Sequence, residues 1–112
     1  MDSNLLLKSV TEILEDKKAK DIEVIDIKEL TTIADYFVIC SGTSMRHIKS
    51  LTDDLKEGLL GLGFEGIRIE GYDTANWVLV DLGDVIVHIF QQEYRELYDI
   101  ERIWSDGILF RQ

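Results

Sequence analysis

Apolar positions along the chain fall into two rhythms, one helical and one extended. Leu6, Val10, Ile13 and Leu14 recur at three- and four-residue spacing after Ser3, whose hydroxyl suits a helix cap, and Lys17, Lys18 and Lys20 follow where cations complement a helix C-terminus. This predicts a first helix. Residues 22–27, Ile-Glu-Val-Ile-Asp-Ile, alternate but shift phase at Val24 and Ile25, which predicts a strand carrying either a bulge or burial on both faces. After a turn-like stretch over residues 29–34, the unbroken run Tyr36-Phe37-Val38-Ile39-Cys40 predicts an interior strand covered on both sides.

The second helical rhythm is the clearest in the chain: Met45, Ile48, Leu51, Leu55, Leu59 and Leu62 form one apolar face, with Gly61 and Gly63 as its stop. Ile67 and Ile69 alternate with Arg68 and Glu70 as a third strand, and residues 71–76 read as a polar loop. Two further apolar runs, Trp77-Val78-Leu79-Val80 and Val85-Ile86-Val87, flank Asp81-Leu82-Gly83-Asp84 and predict a hairpin that gathers an aromatic, two carboxylates and His88 near one end of a sheet. Tyr94, Leu97, Ile100, Ile103 and Trp104 give a helical pattern with a break near Asp99, and residues 105–112 read as a tail. The order of elements predicts an α/β (α+β) fold in one domain over residues 1–112, with a mixed sheet of about five strands flanked by helices.

Composition bounds this picture. A chain of 112 residues with 46% apolar content suits one core. Its single cysteine, Cys40, sits inside an apolar run where it packs as a small hydrophobe, which favours a reducing compartment. No apolar run approaches the roughly 18 residues of a membrane span, and the first residues lack the pattern of a signal or import peptide, so an unprocessed cytoplasmic protein is expected. The net charge is −10, and its placement matters more than its size. Every lysine lies between Lys8 and Lys56, and residues 69–94 hold no Lys or Arg while Glu70, Asp73, Asp81, Asp84 and Glu93 remain. A nucleic-acid backbone calls for the opposite sign, so a charged partner of this region should be a basic protein surface; the competing reading is acidity that serves only solubility.

Several polar groups are candidates for chemistry. Ser41, Gly42, Thr43 and Ser44 form a Gly-containing turn between a buried strand and a helix N-terminus, which fits either a helix cap or an anion site. The turn is similar to the Gly-Ser motif of nucleotidyltransferase folds, which makes a nucleotide-dependent transferase the alternative function. It lacks the Lys and spaced glycines of a P-loop, and the nearest paired acids, Asp53 and Asp54, fall within the predicted second helix. Arg46 and His47 open that helix against its dipole, so they call for acidic partners such as Asp35 or Asp84, or for a ligand. Asp84 and His88 share strand parity, with Asp81 nearby across the turn, an arrangement compatible with metal or acid–base chemistry or with a hydrogen-bonded structural histidine. No metal, cofactor or nucleophile-centred catalysis is called for by motif spacing. Trp77 suits an interface anchor or an ordinary core tryptophan, and Leu82, placed at a turn apex, favours the interface.

Several segments coincide with one family: the run from Ala34 to Ser44, Arg46 with His47, Trp77 with the stretch from Val80 to His88, and Tyr98 to Trp104. In that ordered combination the chain resembles the ribosome silencing factor, or Iojap, family, from about Leu5 to Trp104. The resemblance implies a non-enzymatic translational repressor that binds the large ribosomal subunit through its fourteenth protein at the intersubunit face. There it obstructs joining of the small subunit when nutrients are scarce or growth slows. It also implies a nucleotidyltransferase-related fold without catalytic carboxylates, no cofactor, and a homodimer off the ribosome. Carried onto this sequence, the family interface would use Trp77 as anchor, Leu82 as an apolar contact, and Asp73, Asp81 and Asp84 as polar contributors. Asp81 and Asp84 could instead brace Arg46 or His88.

Overall fold

The computed structural model describes residues 1–104 and 108–110. The chain runs α1 (Ser3–Asp16), β1 (Lys20–Asp26), β2 (Tyr36–Gly42), α2 (Met45–Gly61), β3 (Arg68–Glu70), β4 (Trp77–Asp81), β5 (Val85–Gln91), α3 (Gln92–Tyr98), α4 (Ile100–Ile103) and β6 (Ile108–Phe110). The strands form one mixed sheet in the order β3-β4-β5-β2-β1-β6. β2 and β5 pair in parallel at its centre, and the other pairings are antiparallel. All the expected strands are present, and β6 adds one more within the stretch expected to be a tail. The rest of that tail, residues 105–107 and 111–112, lies outside the described residues.

The two long helices cover one face of the sheet. Leu6, Val10 and Leu14 of α1 and Ile48, Leu51, Leu55 and Leu59 of α2 meet Val24, Val38, Cys40, Val78, Val80, Val85, Val87 and Ile89 in one buried cluster. Gly58 lets α1 approach α2, because a Cβ there would lie 2.8 Å from Ile13 Cδ1. The helix starts follow cap chemistry, with one correction. Asp2, not Ser3, caps α1: its Oδ1 accepts the Leu5 N–H at 2.8 Å, while Ser3 is already helical. α1 stops where Lys18 turns left-handed at φ 65° and the Ala19 N–H donates to Leu14 O. α2 stops the same way, with Gly63 at φ 87° and the Phe64 N–H on Leu59 O, so Gly63 ends the helix and Gly61 is its last residue. The predicted apolar face of α2 is buried in its middle only, since Met45 and Leu62 overhang at the ends and are exposed.

The opposite face carries Ile25, Phe37, Ile39, Ile86 and Phe90, packed with Ile27, Ala34 and Ile100. The phase shift at Val24 and Ile25 is therefore burial on both faces, one residue facing each cluster. A register irregularity does occur in β1, but earlier, between Lys20 and Glu23, where Asp21 takes φ 49°. The expected break at Asp99 is a left-handed residue, φ 46° and ψ 50°, separating α3 from α4. That turn rotates the helical faces out of phase, so Ile100 is buried whereas Leu97 and Ile103 are exposed.

Candidate functional site

Strand register assembles the site on the second sheet face, along β4. Side chains alternate across a strand, so Trp77, Leu79 and Asp81 point away from α1 and α2, and Val78 and Val80 point into them. Leu79 lies midway along β4 on this face, opposite Glu70 on β3 and His88 on β5. Trp77 is opposite Phe90, and Asp81 lies between Arg68 and Ile86. α3 packs over β5 and β2. Trp77 and Leu79 are only half-buried, and β3 has exposed Arg68 and Glu70 on the same side. The outcome is a partly open apolar strip bordered on the strands by Glu70, Asp81 and Arg68, while Asp73 and Asp84 are exposed in the connecting loops.

Trp77 is held from three sides. Its ring stacks on Phe90 with centroids 5.0 Å apart, lies 4.9 Å from Tyr98, and its Nε1–H donates to His88 Nδ1 at 3.0 Å. An indole N–H only donates, so His88 Nδ1 offers a lone pair and the neutral imidazole carries its proton on Nε2. That Nε2 is buried and has no hydrogen-bond partner among the described residues. Burial alone pushes the His88 pKa down to about 4, and the ring packs edge-on to Phe37 at 4.7 Å. Trp77 is thus partly a core residue: it packs against the second cluster and keeps some exposure.

Leu82 is a correction. It is only 4% exposed and belongs to the core beneath α1 and α2. It continues the parity of Val78 and Val80, and the Leu82 N–H donates to Val85 O, so the exposed apex of the hairpin is Gly83 and Asp84. The Leu82 side chain is therefore not exposed at the apex of the turn. Asp81 and Asp84 do not brace Arg46 or His88 either. Asp81 Oδ1 accepts from the Gly83 N–H at 2.9 Å, shaping the turn, and the Asp84 carbonyl accepts from the Asp35 and Tyr36 N–H groups, tying the hairpin to β2. With His88 Nδ1 occupied by Trp77, the trio Asp81, Asp84 and His88 does not converge on a common point. Among the described residues no group of three His, Cys, Asp or Glu is placed to hold a metal ion.

The turn of Ser41, Gly42, Thr43 and Ser44 lines a shallow cavity, but part of its hydrogen-bonding capacity is taken up from within. Ser44 Oγ caps the His47 N–H at 3.0 Å, and the His47 ring folds back so that Nδ1 accepts from the Thr43 N–H at 2.9 Å and Nε2 meets Lys17 O at 3.1 Å. His47 thus takes backbone N–H capacity that an anion would need, and it pairs with neither Asp35 nor Asp84. Arg46 is exposed and has no ion pair among the described residues. Gly42 serves packing: a Cβ there would lie 2.5 Å from Ile48 Cγ1 and 3.2 Å from Ile48 N, so only glycine lets α2 start this close to β2. Cys40 is inert as a nucleophile, since burial raises its thiol pKa to about 12.

Residues 1–111 match the family described as ribosomal silencing factor during starvation. The chain belongs to this family. It is 39% identical over 107 residues to the ribosomal silencing factor of Halalkalibacterium halodurans, covering 96% of this chain and 92% of the relative. A mouse protein named mitochondrial assembly of ribosomal large subunit protein 1 is 35% identical over 96 residues, covering 83% of this chain and 42% of its own length. A crystal structure of a Chromobacterium violaceum protein superposes with a TM-score of 0.91 at 36% identity, covering 96% of this chain and 88% of that one. Membership of a ribosomal silencing factor family implies association with ribosomes. Among the described residues, no helix is long and apolar enough to cross a membrane.

Two features of this family member escape sequence reading. Leu79, not Leu82, is the apolar companion of Trp77, and its two-residue offset along one strand is the signal that identifies it. Arg95 is buried on α3 and donates to Ser41 Oγ at 2.9 Å, to Asp21 O at 2.8 Å and to Glu101 at 3.0 Å, with Glu23 3.9 Å away. This guanidinium clamps α3 and α4 to the ends of β1 and β2, and so sets the position of Tyr98 beside Trp77.

Proposed function

We propose that this chain is a non-catalytic translational repressor that docks on the large ribosomal subunit through its fourteenth protein and sterically obstructs joining of the small subunit when growth slows. The observation that carries this reading is the half-open strip of Trp77 and Leu79 with Glu70 and Asp81 beside it, in a stretch over residues 69–94 that has no Lys or Arg and also holds exposed Asp73 and Asp84. Apolar surface inside an acidic margin suits a basic ribosomal protein and repels misplaced contacts with RNA phosphates. The mouse relative's name, which refers to the ribosomal large subunit, supports the choice of subunit. The reading needs no cofactor or metal, places the protein in the cytoplasm, and includes a homodimer off the ribosome.

The test is co-sedimentation with purified large subunits, followed by light scattering of subunit joining. Wild-type chain should co-sediment and slow joining. Trp77→Ala and Glu70→Lys should each weaken binding by about tenfold or more, the first by removing the anchor and the second by reversing the margin's sign. Circular dichroism must show both variants folded, since Trp77 also packs against Phe90. A wild-type chain that stays in the supernatant, or a folded Trp77→Ala that binds as tightly, sinks the proposal. Saturable heat on titration with a nucleoside triphosphate and divalent metal would favour the transferase alternative instead.

A further inference from the structure

We propose that His88 is a positioning residue for docking: its Nδ1 holds the Trp77 indole in one orientation on the open strip, and this fixed orientation is what the partner meets. The inference rests on the docking reading above and deepens it.

The position of His88 is otherwise apolar in every respect. Its neighbours across the sheet are Ile39 and Leu79, its neighbours along the same face of β5 are Ile86 and Phe90, and Phe37 closes over it. An imidazole there carries a buried N–H with no partner among the described residues, which an apolar ring of similar size would not. Packing therefore gives no reason for a histidine. What the imidazole alone supplies is an acceptor on the side of Trp77, 3.0 Å from the indole nitrogen. The low basicity that burial imposes keeps that lone pair free across the physiological range.

The indole needs such a tether. Phe90 and Tyr98 contact it through ring faces at 25° and 44°, and such contacts tolerate sliding and in-plane rotation. A single directional hydrogen bond from the N–H removes that freedom. It also turns the ring's only polar atom inward, so what Trp77 offers a partner is carbon surface alone. An anchor ordered before contact loses less entropy on binding.

The experiment pairs His88→Phe, which keeps an aromatic ring and deletes the acceptor, with His88→Gln, which can return an acceptor oxygen. In the nitrogen–proton NMR spectrum, the Trp77 indole signal, assigned by its loss in Trp77→Ala, should be protected from solvent exchange in wild type, exposed in His88→Phe and partly protected again in His88→Gln. Large-subunit affinity should fall by about tenfold in His88→Phe, recover in part in His88→Gln, and be no worse in the Trp77→Ala, His88→Phe double variant than in Trp77→Ala alone. If His88→Phe does not fold, replacing Trp77 by 3-benzothienylalanine deletes the N–H and leaves His88 in place, with the same expected loss of affinity. Full affinity in a folded variant that lacks the hydrogen bond overturns the role of His88 while leaving the docking reading intact. Failure of the wild-type chain to bind large subunits removes both.

Discussion

Removing the Arg95 side chain should be the most damaging single polar change in this protein. The guanidinium is within a residue only 6% exposed, and its donors reach Ser41 Oγ, Asp21 O and Glu101, joining α3, α4, β1 and β2. Arg95→Ala deletes the positive charge and leaves two acids in a confined space, Glu101 with a side chain 17% exposed and Glu23 with one 20% exposed. Deleting one partner of a buried ion pair costs about 3–5 kcal/mol, and because both acids keep some water the lower end, about 3 kcal/mol, is expected. With a urea slope of about 1.5 kcal/mol per molar, the unfolding midpoint should fall by about 2 M. Arg95→Lys keeps the charge but not the fork that donates to three groups, and should lose roughly half as much. Glu101→Gln should cost less in the Arg95→Ala background than in wild type, with a coupling of about 1 kcal/mol. A loss below about 1 kcal/mol in Arg95→Ala, or strict additivity with Glu101→Gln, would refute the view that this cluster clamps the short helices to the sheet.

Two further outcomes follow from buried side chains. Burial holds His88 at about 4 against an ordinary 6.5, so above pH 6.5 neither folded nor unfolded chain protonates it; between pH 6.5 and 4 only the unfolded chain does, and stability falls as pH falls. The shift corresponds to about 3 kcal/mol across that window, and urea midpoints from pH 7 to pH 4 should show a shallower acid limb in His88→Phe; parallel limbs would contradict the assignment. Leu82→Ala should lower stability by about 3 kcal/mol while the folded protein keeps its affinity for large subunits, because this side chain lies in the core under α1 and α2. Unchanged thermal stability with lost binding would instead return Leu82 to the surface.

What the sequence makes legible is what local rhythm controls. α2 is readable because four buried apolar residues repeat along one face, and the hairpin because β-branched runs flank a glycine turn. The break at Asp99 is readable as lost periodicity, though not the change of phase that exposes Leu97 and Ile103. The polar groups are another matter, since their roles depend on long-range register. Arg95 meets Ser41 across 54 residues and Asp21 across 74, so nothing near it in the chain marks it as buried. Leu82 illustrates the opposite error: apex position suggests exposure, whereas parity with Val78 and Val80 sends it inward, and parity is the stronger constraint because a slip of one residue would turn the whole strand over. The same constraint places Trp77, Leu79, Asp81, Glu70 and His88 on a single face. The hairpin therefore divides its labour by register: even-numbered residues of β4 hold the core, odd-numbered ones make the strip, and His88, arriving from β5, accepts the hydrogen bond that holds the Trp77 indole.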